Sequence, residues 1–223
     1  MNIEIQTEIN LILQKAKNFR GYTLEQLSQS LGISMPKHMT NSKGLSGQII
    51  EYLLGAEAQS RPLPDFPRLN LEIKTIPINI KQQPLETTYI CSANLLPKEI
   101  NYDFYTSALY KKIQHILWLP LIVPDPQHDL LANRIVGNAF LWQPNPEQLA
   151  AIEADWIELT QMMLFGNIEQ VSSHYGQVLQ IRPKASNSKV TTESLDETGQ
   201  KILTLPRGFY LRKTFTQNLL LNN

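Results

Sequence analysis

The sequence predicts a mixed α/β protein built on a central β-sheet. Apolar residues recur at helical spacing in the first third of the chain and again over residues 145–165. Between and after these stretches, short runs alternate or concentrate apolar residues in the manner of strands. Interleaving of the two periods is the pattern of helices packed on a sheet. With 42% hydrophobic residues in a chain of 223, there is enough apolar material to bury a core.

The elements follow in order. Ile5, Ile9, Ile12, Ala16 and Phe19 are spaced by three and four, which predicts an amphipathic helix over residues 4–19. Thr23 with Gln26 three residues later forms a capping-box signal before Leu24, Leu27 and Leu31, and Gly32 fits the far cap. A third helix is expected from Leu45 to Leu54, between Gly44 and Gly55. Pro62, Pro64 and Pro67 exclude a helix interior over 56–68. Beyond them Leu69, Leu71 and Ile73 alternate with Asn70, Glu72 and Lys74, a half-buried strand. Further strands are expected at 87–93, within 113–123, more weakly at 135–142, and at 178–181 and 209–211. Leu149, Ile152, Trp156, Leu159 and Met163 line one stripe of a helix closed by Gly166, and a last helix carries Phe215, Leu219 and Leu220.

Several classes of protein are excluded. No apolar run approaches the ~20 residues of a membrane helix. Met1 to Ile5 lacks a basic region followed by an apolar stretch, so no secretory signal is expected. The lone Cys91 rules out an internal disulfide framework or a multi-cysteine zinc site, and inside an apolar strand it reads as a buried small hydrophobe. His38, His115, His128 and His174 have no ligand spacing, and there is neither a P-loop nor a nucleophile elbow. The formal net charge of +0 argues against a uniformly basic nucleic-acid binder. That neutrality is an average, because residues 181–223 carry seven positive and three negative charges. On the helix at 145–165, Glu147, Glu153, Asp155 and Glu158 predict an acidic outer face, either merely solvated or serving to avoid DNA or engage a protein partner.

The segment richest in chemistry is Pro64-Asp65, six residues, then Glu72-Ile73-Lys74. Residues i and i+2 of a strand share a face, so Glu72 and Lys74 stand side by side. Asp65 can return to the same place from the loop before them. Converging carboxylates are the hard oxygen ligands that magnesium prefers. A lysine beside them can orient a water or stabilise phosphate charge. Glu51, on the preceding helix, can add a third carboxylate. The same short pattern also describes a solvated strand face with a weak ion pair.

Longer blocks add to this pattern. They are Lys43-Gly44, Leu71-Glu72-Ile73-Lys74-Thr75-Ile76-Pro77, Pro84-Leu85-Glu86-Thr87-Thr88, Leu117-Trp118, Gln180-Ile181-Arg182-Pro183-Lys184-Ala185, and Ile202 to Leu211 through Pro206-Arg207-Gly208-Phe209-Tyr210. In this order, from about the first helix nearly to the C-terminus, they resemble the MutH family of DNA mismatch repair endonucleases. The resemblance implies the fold of type II restriction endonucleases: a central mixed β-sheet flanked by helices, with two lobes forming a DNA-binding cleft. Residues 1–223 would be one such domain, with an approximate catalytic lobe at 1–125 and a DNA-recognition lobe at 126–223.

The implied activity is nicking of the unmethylated strand at hemimethylated GATC sites, 5′ to the guanine, with Mg2+ or another divalent metal such as Mn2+. By resemblance, Asp65 and Glu72 bind the metal with Glu51 as a further acid, Lys74 is the catalytic lysine, and Lys112 supports the site, with Lys111 one position away. Arg182, Pro183 and Lys184 would read bases in the major groove, where arginine matches guanine with two donors. Tyr210 would sense adenine methylation, Arg207 would support the same surface, and Lys43 and Gly44 would meet DNA. The implied setting is cytoplasmic, with a monomer that MutL activates after MutS detects a mismatch. Two other readings stay open: a restriction enzyme cutting both strands of GATC, and a DNA-binding module without catalysis. Lack of a second Asp–Glu–Lys set disfavours the first, and intact Asp65, Glu72 and Lys74 disfavour the second.

Overall fold

The structure is a computed structural model that describes residues 3–35, 44–57, 63–171, 174–185, 187 and 189–223. Its class is mixed α/β, as the periodicities predict. The chain divides into two compact units interleaved along the sequence. One comprises residues 1–86, 114–143 and 217–223; the other comprises 87–113 and 144–216.

In the first unit, α1 (Ile3–Lys17), α2 (Leu24–Gln29) and α3 (Leu45–Leu54) precede β1 (Glu72–Ile78). The expected capping box is present: Thr23 Oγ1 accepts from Gln26 N, and Gln26 Oε1 accepts from Thr23 N. The last helical residue is Gln29 with Ser30 as cap, so Gly32 lies two residues beyond the cap. Gly44 and Gly55 flank α3 in left-handed conformations.

The sheet of this unit is mixed. Strand β3 (Ile116–Ile122) runs parallel to β1, with Glu72 opposite Ile116 and Ile78 opposite Ile122. Two short strands, β4 (Ile135–Val136) and β5 (Phe140–Trp142), pair antiparallel with β3. They replace the continuous strand expected over 135–142. Strand β3 is apolar at every position because a central strand is covered on both faces. Leu24, Leu27, Ile49, Ile50, Leu71, Ile73, Leu117, Leu119 and Leu121 form the core beneath the helices.

The second unit holds an antiparallel sheet ordered β2 (Thr88–Ala93), β9 (Arg207–Leu211), β6 (Leu179–Pro183). It also holds α4 (Ala108–Ile113), α5 (Pro146–Leu164) and the hairpin β7 (Thr192–Leu195) with β8 (Lys201–Thr204). The chain then enters α6 (Lys213–Leu221). Neither α4 nor the hairpin is legible from periodicity, since each is short and the hairpin strands bury only Ser194 and Thr204. Helix α5 buries Ile152, Trp156, Leu159 and Met163 as expected. Asp155 departs from expectation: it is buried rather than part of an acidic outer face. No helix among the described residues is long and apolar enough to cross a membrane.

Candidate active site

A tight reversal of the chain builds the site. Phe66 N donates to Leu71 O at 2.9 Å and Leu71 N returns a bond to Phe66 O at 3.3 Å. Pro67 to Leu69 form a 3-10 turn, and Asn70 closes it with φ 48°. Strand β1 therefore begins at Glu72, three residues later than the alternation at Leu69 predicts. The reversal lays Asp65 back against the strand. Its Oδ2 accepts from Ile73 N at 2.7 Å, and its own carbonyl accepts from Glu57 N at 2.9 Å.

Glu72 is 1% exposed, and Lys74 Nζ donates to its Oε1 at 2.6 Å. This excludes the solvated strand face that the short motif also allowed. Exposed ion pairs contribute little, whereas a buried acid deprived of its cation is costly. Burial lowers the affinity of Lys74 for its proton, but Glu72, Asp65 and Glu51 together outweigh it, and the lysine is held above its usual range. Asp65 has the opposite problem. Burial, then the charge of Glu72, raise it from 3.8 to about 6, against the bond from Ile73 and the charge of Lys74.

Glu51 acts on both Asp65 and Lys74 through its charge. Its carboxylate lies back along α3, where a Cβ at Gly47 would come within 3.3 Å of Oε1. Among the described residues, no three acid, histidine or cysteine side chains stand close enough to enclose an ion. The structure thus brings together Asp65, Glu72 and Lys74, with Glu51 contributing a field. One lysine against these acids is a cation-poor set, and its oxygen donors suit a hard divalent ion. Lys112 belongs to the other unit, half-buried near the end of α4, with Lys111 exposed beside it.

The second unit assembles the expected recognition residues on β6 and β9. Arg182, Pro183 and Lys184 are exposed at the end of β6. Arg182 Nη1 donates to Thr87 Oγ1 at 3.2 Å, and Lys184 N donates to Pro206 O at 2.7 Å. Gln180 is opposite Tyr210 and Arg182 opposite Gly208, so Arg182 and Tyr210 share a face. Arg207 does not share it. By alternation it lies with Phe209 and Leu211, its side chain only 10% exposed and 3.7 Å from Glu169. Gly44 is exposed at the start of α3, and Lys43 lies outside the described residues.

Sequence reasoning missed Tyr89. Its ring meets Tyr210 edge-on at 5.3 Å, and the Lys184 ammonium sits 4.2 Å from its centre. Gly208 makes room for it, since a Cβ there would lie 2.8 Å from Tyr89 Cε2. The available signal was strand alternation, which carries β2 one residue past the Pro84–Thr88 block.

Fold and site together define a class: a mixed α/β protein with a largely buried carboxylate–lysine cluster and an exposed arginine–lysine–tyrosine surface. The family model described as DNA mismatch repair enzyme MutH matches residues 54–155, a span holding Asp65, Glu72, Lys74 and Lys112. The DNA mismatch repair protein MutH of Salmonella paratyphi C is 43% identical over 210 residues, covering 94% of this chain and 90% of that protein. Its counterpart from Pectobacterium atrosepticum is 41% identical over 209 residues, covering 94% and 89%. The chain belongs to the MutH family, and its work is that of a DNA-cleaving mismatch repair enzyme.

Proposed function

We propose that this protein nicks the unmethylated strand of hemimethylated GATC sites, 5′ to the guanine, by divalent-metal-dependent hydrolysis. The observation that carries the reading is the set of Asp65, Glu72 and Lys74, both acids buried and the lysine bonded to Glu72, in a chain of this family. Asp65 and Glu72 would hold Mg2+ or Mn2+, with Glu51 adding negative charge and Lys112 supporting the centre. The bound metal would supply charge neutralisation at the scissile phosphate and a more acidic water. Lys74, bonded to Glu72, is the cation that orients water or donates to a phosphate oxygen. Arg182, Pro183 and Lys184 would read the bases, and Tyr210 would meet the adenine amino group, where an added methyl changes contact. Gly44, with Lys43 before it, would approach the backbone. The protein acts in the cytoplasm as a monomer with one such centre, cutting one strand per encounter. MutL activates it downstream of MutS.

Hemimethylated, unmethylated and GATC-free duplexes in magnesium, with and without MutL and ATP, test this. Nicks confined to unmethylated strands of GATC sites are expected. Linear double-strand products at every GATC would point to a restriction enzyme. Glu72→Ala should abolish nicking and leave DNA binding intact; retained nicking would remove the metal-site assignment.

A further inference from the structure

The second unit contains a buried carboxylate that the reaction does not use. Asp155 lies mid-helix in α5 and is 5% exposed. Three consecutive backbone N–H groups converge on it. Gln177 N donates to both oxygens at 2.9 Å, Val178 N to Oδ2 at 2.6 Å and Leu179 N to Oδ2 at 2.7 Å. The chain coils tightly to do this. Gly176 has φ +78°, and a Cβ there would lie 2.0 Å from Leu179 O and 3.2 Å from Asp155 Cγ. Successive N–H groups of this kind form an anion cradle, filled here by the protein's own side chain.

The cradle ends where β6 begins, and β6 presents Arg182 and leads directly into Lys184. From Leu179 to Arg182 is roughly 10 Å of strand at about 3.3 Å per residue. A slip of one residue would turn Arg182 to the opposite face. The far end of the strand is also tied. Lys184 N is bonded to Pro206 O, while Glu169 accepts from Thr204 Oγ1 and faces Arg207.

We propose that Asp155 is a positioning residue for base recognition: by filling the 177–179 cradle it fixes the start and register of the strand that carries Arg182 and leads into Lys184. The inference rests on reading that strand as the one that meets GATC. It predicts a loss of specificity distinct from a loss of fold. Asp155→Asn keeps the volume but removes the charge and replaces the Oδ1 that accepts from Gln177 N with an amide N–H facing that donor.

The test compares Asp155→Asn with wild type on a GATC duplex and a GATC-free duplex, with thermal melts alongside. Specific affinity should fall roughly tenfold to a hundredfold, the scale of one lost base contact, with non-specific affinity within about twofold of wild type. The KM for nicking should rise while kcat at saturating DNA stays near wild type. If Asp155→Asn does not fold, Asp155→Glu, which keeps the charge and displaces it by one methylene, should show the same pattern. Equal loss on both duplexes, or an unchanged specificity ratio in a folded variant, would overturn the proposal. A wild type without GATC preference would sink the underlying recognition reading as well, and that control separates the two failures.

Discussion

Replacing Asp65 with asparagine should make the metal-free protein more stable at neutral pH while destroying its activity. Burial and the charge of Glu72 raise Asp65 from 3.8 to about 6. A carboxyl that holds its proton more tightly folded than unfolded stabilises the fold only while protonated. Below about pH 4 both states carry the proton and nothing is lost. Between 4 and 6 the unfolded chain releases it and the folded one does not, so stability falls as pH rises. Above 6 the whole difference has been lost, about 3 kcal/mol at 1.36 kcal/mol per pH unit. Asparagine keeps an oxygen for the bond from Ile73 N and removes the charge. Asp65→Asn should therefore gain up to about 3 kcal/mol at pH 8, or about 6–12 °C in Tm for a chain of this length. The assay is urea unfolding in chelator at pH 4.5, 6 and 8, with nicking measured in magnesium. The gain should fall to about 1 kcal/mol at pH 4.5, close to the unfolded pKa. A variant equal to or weaker than wild type at pH 8 would show that burial and the neighbouring Glu72 do not disfavour the charge on Asp65.

Three further changes probe other parts of the molecule. Lys74→Met strands the buried Glu72 without its cation, and should cost about 3–5 kcal/mol and end cleavage; adding Glu72→Gln should restore stability in urea melts but not cleavage. Gly208→Ala puts a Cβ 2.8 Å from the Tyr89 ring, so Tyr89 must move against Tyr210. About 1–3 kcal/mol of overpacking should come with weaker discrimination between hemimethylated and fully methylated duplexes; unchanged discrimination would detach Tyr89 from the sensing surface. Thr23→Ala removes the capping box of α2 and should cost about 1 kcal/mol, read as a small fall in Tm with nicking at 25 °C unaltered.

What could be read from sequence followed from how local the determinant is. The capping box at Thr23, the glycines around α3 and the apolar stripe of α5 are signals within a few residues of their effect. Asp65, Glu72 and Lys74 were legible because a strand fixes i and i+2 and the spacer is short. The start of β1 was misplaced because Leu69 continues the alternation while Pro67 and Asn70 favour a turn. Arg207 was grouped with Tyr210 by nearness in sequence. Strand parity separates them, and Glu169, distant in sequence, lies 3.7 Å from the arginine. Asp155 was the hardest. An acid on a polar-looking helical position is ordinarily solvated, and its partners are 22 to 24 residues away.

Asp65 and Asp155 show how two buried acids of one chain come to different ends. Both are nearly excluded from water, at 6% and 5% exposure. Asp155 meets three backbone donors, so its negative charge is answered by neutral groups that belong to the fold. Those donors occupy both of its oxygens. Asp65 meets one backbone donor, and Lys74 is shared with the nearer Glu72 while Glu51 adds repulsion. Its charge is left in deficit, and the deficit has the sign and the donor type that a hard cation relieves. Any ligand that binds only the folded chain stabilises it by the free energy of that binding. The gain expected of Asp65→Asn is thus the same quantity that would favour a divalent ion at the proposed site beside Glu72. A fold selected only for stability would have no reason to keep three acids around one lysine, whereas one selected to hold a cation against a phosphate would.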